Sequence, residues 1–137
     1  MAHDGQHDLM VSTPILENVL ALARETIEPL GSLNQKAIDK LRDLVTIEGK
    51  VSSPMIETNQ SIAHGVAWLA TYTESISQMV KWAENLSKDK KFGHPEQLLL
   101  QIEVGEYLGQ IVGGIMISQG EIFRLNEIGL KNLDQSE

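Results

Sequence analysis

The chain has 137 residues, enough for one hydrophobic core and too few for two ordinary domains. Hydrophobic residues make up 42% and charged residues 22%, a composition that folds, while aromatics at 4% leave the core to aliphatic side chains. A net charge of −8 argues against nucleic acid and anionic membrane as partners, and the lack of cysteine excludes disulfides, thiolate catalysis and cysteine-type zinc sites.

Residues 1–12 are polar and aperiodic and read as a flexible tail. His3, Asp4, His7 and Asp8 are metal-ligand types, but no rigid element holds them, so no metal is expected there. A first helix is expected from Thr13, a good N-cap followed by Pro14, with Ile15, Leu16, Val19, Leu20, Ala23 and Ile27 on one stripe. Pro29 and Gly31 are expected to end it. The capping-box spacing of Ser32 and Gln35 then predicts a second helix from Ser32. It buries Leu33, Ala37, Leu41 and Leu44 or Val45, and closes at Gly49 and the Ser52-Ser53-Pro54 stretch.

The spacing predicts a long third helix over 54–88, on the order of 50 Å if unbroken. One stripe runs Ile62, Val66, Leu69, Thr73, Ile76, Val80, Ala83, and a second runs Trp68, Tyr72, Met79, Trp82, Leu86. So wide an apolar arc places this helix at the centre of a bundle. A charged turn, Lys88 to Gly93, leads to Pro95 and Glu96 in the first turn of a fourth helix, which stops near Gly113-Gly114. The expected fold is therefore all-α, a four-helix-type bundle over 13–117 dominated by a long antiparallel helical hairpin. Residues 118–137 read as a loop or short-helix tail, although Ser118 and Glu121 have capping-box spacing. No β-alternation stands out.

Several residues invite a functional reading. Gly105, Gly109 and Gly113 recur every fourth position, and each helix glycine costs about 1 kcal/mol relative to alanine. An offsetting close approach of another backbone is expected, from the third helix or from another chain. Glu103 and Glu106 are spaced for metal or acid–base work, but no Glu is followed by His three residues later, so they read as a solvated acidic face. His64 on a helix suggests phosphotransfer, yet no Lys follows it until Lys81, and a packed or cap-interacting histidine is the expectation. Trp68, Tyr72 and Trp82, with Tyr107, read first as packing or interface anchors and second as the lining of a small-ligand groove. There is no glycine-rich phosphate loop and no Ser–His–Asp set on a strand-turn scaffold.

The segments HGVAWLATYTESISQMVKWAENL (64–86) and FGHPEQLLLQIEVGEYLGQIVGGIMISQGEI (92–122) resemble the N-terminal extension of the methylsuccinyl-CoA dehydrogenases, a branch of the acyl-CoA dehydrogenase family. The most distinctive parts are HGVAWLATY, GEYLGQI and the GGI…SQGEI end, with Met116 standing where that pattern has a proline. The resemblance implies a helical module outside the family's catalytic core, which holds FAD and uses a carboxylate base. That core has no counterpart here, so no catalytic, cofactor or metal residue is carried over and no cofactor is expected. The implied role is a non-catalytic packing or assembly module, against an acyl-CoA dehydrogenase-type flavin domain, a second copy in a homodimer, or both. With no membrane-spanning run and no opening signal peptide, the expected location is cytoplasmic.

Overall fold

The computed structural model describes residues 15–131. The metal-type cluster of His3, Asp4, His7 and Asp8, and the Thr13-Pro14 cap, lie outside them.

Helix α1 spans Val19–Glu25 and helix α2 spans Ile27–Val45. Pro29 acts four residues earlier than expected. Its ring excludes the carbonyl of Glu25 from a helical bond, so α1 ends at Glu25, and Pro29 itself sits in the first turn of α2, where no partner for an N–H is required. The second helix thus begins at Ile27, not at Ser32, and the Ser32–Gln35 capping box does not form. Gly31 is an interior helix residue.

A two-residue hairpin follows, β1 (Thr46–Ile47) with β2 (Lys50–Val51). Its central residues Glu48 and Gly49 both have positive φ, 49° and 77°, the requirement of a type I′ turn. The expected long helix over 54–88 is divided at Asn59 into α3 (Ser53–Thr58) and α4 (Gln60–Lys88). The 29 residues of α4 run about 43 Å. Its buried face is Gly65, Val66, Leu69, Tyr72, Ile76, Val80 and Ala83.

Helix α4 ends in a Schellman motif with a lysine where glycine is usual. Lys90 has φ 55°, its N–H donates to the Ser87 carbonyl, and the Lys91 N–H donates to that of Leu86. Helix α5 (His94–Gly113) starts from an extended Gly93, whose N–H donates to Glu96 Oε2 at 3.0 Å. Tyr72 bonds Gln110, and Ser75 bonds Glu103, so α4 and α5 run antiparallel. Helix α1 is tied to this pair by Arg24–Glu84 at 2.7 Å, and the Leu16 N–H donates to Gln101 at 2.7 Å.

The expectation of no strand after α5 fails. Gly114, at φ 135°, turns the chain into β3 (Ile115–Met116), which pairs antiparallel with β4 (Ile122–Phe123). Ser118 and Glu121 lie in this hairpin turn and start no helix; the Ile117 N–H donates to the Glu121 carbonyl. A 3₁₀ turn, Leu125–Ile128, closes on Gly129 at φ 73°. Ile115, Phe123, Leu125 and Ile128 are buried in the same core as Leu30, Leu33 and Ala37 of α2 and Leu100, Val104 and Ile111 of α5. The architecture is a mainly helical bundle around α4, with the α4–α5 hairpin as its longest unit and two small hairpins at its edges. No helix among the described residues is long and apolar enough to cross a membrane.

Candidate functional site

The seam between α4 and α5 carries the aromatic residues. Trp68 and Tyr72, four apart on α4, meet edge to face at 5.8 Å. Tyr72 stacks on Tyr107 of α5 at 4.3 Å, with planes 14° apart. The Tyr72 hydroxyl donates to Gln110 Oε1 at 2.8 Å, and the Ser75 hydroxyl donates to Glu103 Oε1 at 2.7 Å. Glu103 is therefore a seam residue, while Glu106 is exposed, and the two do not act as a pair. Among the described residues no group of His, Asp and Glu has the arrangement of a metal site.

The four residues offered as a groove do not come together. Trp68, Tyr72 and Tyr107 form one cluster, whereas Trp82 lies roughly 21 Å along α4 from Trp68. Within the cluster the rings cover one another. His64 is exposed, and its Nε2 accepts a hydrogen bond from Trp68 Nε1 at 3.1 Å. It borders an open cleft of about 400 Å³ with Gln60, Ser61, Ala63 and Glu121.

Burial raises the Tyr72 phenol above its ordinary value near 10, and like-charge repulsion with Tyr107, whose ring stacks on it, adds to the shift. The folded chain then holds this proton more tightly than the unfolded one. The resulting stability is present below about pH 10 and is lost as pH rises through the raised value. Spectrophotometric titration of the folded protein is expected to show a late tyrosinate step that Tyr72→Phe removes. Ionisation of all tyrosine in the ordinary range would contradict the buried, stacked geometry.

The glycine stripe falls on the outward side of α5. A Cβ at Gly105, Gly109 or Gly113 would meet nothing within 4 Å, so the close approach expected there is not made among the described residues. Leu99 and Ile102 on the same helix are 54% and 53% exposed, and Val112 is exposed as well. Beside Gly105 the surface dips into an apolar cleft of about 220 Å³ between α1 and α5, floored by Val19, Ala23, Val104 and Leu108 and rimmed by exposed Leu16 and Leu22.

Among the described helix-interior glycines the one with a close neighbour is Gly65, which belongs to no stripe. A Cβ there would stand 2.1 Å from Phe123 Cγ. Its only signal in the sequence is a lone glycine inside a strongly periodic helix. Gln110 and Ser75, which complete the seam, carry no signal at all.

No protein-family profile matches the chain. The (2S)-methylsuccinyl-CoA dehydrogenase of Cereibacter sphaeroides is 44% identical over 122 residues, which cover 89% of this chain and 22% of that enzyme. The chain thus matches a part of a longer protein and spans about a fifth of its length. The resemblance read from HGVAWLATY and GEYLGQI extends over nearly the whole chain.

Proposed function

We propose that this chain is a non-catalytic helical packing module of an acyl-CoA dehydrogenase-type flavoenzyme, working in the cytoplasm. The observation that carries the reading is the extent of the similarity, which takes in almost all of this chain and only a fifth of the dehydrogenase. Two features support it. Among the described residues no charged side chain is buried, so none sits in the water-poor surroundings that tune a general base. Among the described residues the outward face of α5 is uncovered and, Glu106 apart, apolar, as a surface that meets another protein is. A small-ligand groove is less well supported, because Tyr72 and Tyr107 already fill each other's faces.

Deleting the matching segment from the longer dehydrogenase tests the proposal. The truncated enzyme is expected to keep its flavin absorbance while losing assembly or several degrees of Tm. The isolated chain is expected to purify colourless. Loss of flavin with assembly intact, or an isolated chain carrying flavin in stoichiometric amount, would overturn the reading.

A further inference from the structure

Tyr107, Tyr72, Trp68 and His64 form an unbroken line of rings from the α4–α5 seam to the surface. Tyr107 stacks on Tyr72 at 4.3 Å, Tyr72 meets Trp68 at 5.8 Å, and the Trp68 ring lies 6.3 Å from that of His64. The line ends in a base. Trp68 Nε1 donates to His64 Nε2 at 3.1 Å, so the neutral imidazole carries its own proton on Nδ1 and holds a lone pair against the indole N–H. This bond is exposed, where water alone would satisfy an indole, and a base one helical turn away serves instead. The other electron-rich rings have no such neighbour. The Tyr72 hydroxyl donates to the amide oxygen of Gln110, which is not a base near neutral pH. Neither the Tyr107 hydroxyl nor the Trp82 indole makes a hydrogen bond among the described residues.

We propose that Trp68 and His64 form a proton-coupled redox site, which gives one electron to a strong one-electron oxidant of the oxygen-radical class. The electron leaves the indole of Trp68 and reduces the oxidant. The Nε1–H bond breaks, and its proton forms a new N–H bond at His64 Nε2. The products are a neutral tryptophanyl radical and an imidazolium, whose charge lies at the open cleft that His64 shares with Glu121. Loss of an electron makes an aromatic N–H or O–H strongly acidic, so the oxidised ring is stabilised most where a base already accepts its hydrogen bond. That selects Trp68 over Trp82 and over both tyrosines of the seam, from which Trp68 can draw the oxidising equivalent through ring contact. A soluble one-electron reductant, a thiolate for example, restores the site when it returns the electron and His64 returns the proton. The site stands apart from the packing-module reading and does not rest on it.

Flash photolysis of the full chain tests this, with a ruthenium(II) polypyridyl complex and a cobalt(III) quencher supplying ruthenium(III) as the oxidant. Transient absorption distinguishes the neutral tryptophanyl radical from the tryptophan radical cation and from tyrosyl. The parent is expected to give the neutral tryptophanyl radical as fast as the oxidant is consumed. Trp82→Phe is expected to keep that signal and Trp68→Phe to lose it. His64→Gln keeps a hydrogen-bond acceptor and removes the base, and is expected to give a radical cation that loses its proton about 10²-fold more slowly. His64 is exposed, so this variant should keep the helical circular dichroism of the parent. A parent radical that rests on Trp82 or on a tyrosine, or a His64→Gln protein that forms the neutral radical as fast as the parent, would overturn the inference.

Discussion

Gly65→Ala is expected to destabilise the chain by about 1–3 kcal/mol, the range for overpacking a close-packed core, and Gly65→Leu is expected to prevent folding. On an exposed helix the same change to alanine would stabilise. Here the new Cβ meets Cγ, Cδ2 and Cβ of Phe123 at 2.1, 2.4 and 2.6 Å. These are not the far atoms of a flexible side chain. They are the root and near edge of a ring that is 2% exposed and held by the β3–β4 pairing. Either α4 or the hairpin must shift. Gly31→Ala in α2 is the control, because nothing lies within 4 Å of that position, and a gain of about 0.4–1 kcal/mol is expected. Urea melts of the two variants should therefore move in opposite directions. A Gly65→Ala protein as stable as the parent would show that Phe123 does not lie against α4 as described.

The contrast between Gly65 and the α5 stripe shows where the sequence is legible. Burial on α4 repeats with the helix, so Val66, Leu69, Ile76, Val80 and Ala83 are identified by spacing alone, and all are buried. Helix boundaries are less legible because one residue serves two purposes. Pro29 ends a helix four residues before itself and also suits the first turn of the next, and its position alone does not say which effect sets the boundary. The break at Asn59 leaves the apolar rhythm almost intact, so periodicity passes over it. The two hairpins escape because each strand has two residues, too short for alternation to register.

Glycine usage is legible in kind but not in place. A helix glycine signals that its missing Cβ matters, yet the atom that needs the space is chosen by tertiary structure. For Gly65 that atom lies 58 positions away, in a segment whose composition reads as a tail. For Gly105, Gly109 and Gly113 no atom among the described residues needs the space, and regular spacing alone does not say whether such a stripe would meet the third helix or another chain. The aromatic seam divides in the same way. Trp68 and Tyr72 share a helix face and are found from spacing. Tyr107 and Gln110 join them only because the Schellman turn at Lys90 sets the register of α5 against α4.

Phe123→Ala is expected to be the most damaging single truncation, at about 3–5 kcal/mol, against the 5–15 kcal/mol that hold a typical domain together. Phe123 is the largest of the fully buried side chains. It joins Ile115, Leu125 and Ile128 in fixing residues 114–130 to the bundle. The loss is bounded from above in a specific way. If detaching this segment costs less than keeping a cavity, the segment will separate while α2, α4 and α5 stay folded, as locally unfolding units do. Limited proteolysis separates the two outcomes, since cleavage confined to 114–131 marks detachment, whereas a lower global urea midpoint with no early cut marks a retained cavity. The double variant ties this expectation to the first. With Phe123 truncated, only its Cβ at 2.6 Å is left of the three atoms that crowd Gly65, so Gly65→Ala should cost less than it does beside the intact ring. The two changes are thus expected to be non-additive by about 0.5–3 kcal/mol. Strict additivity would mean that the ring and the glycine do not meet, and that residues 122–128 owe their burial to other contacts.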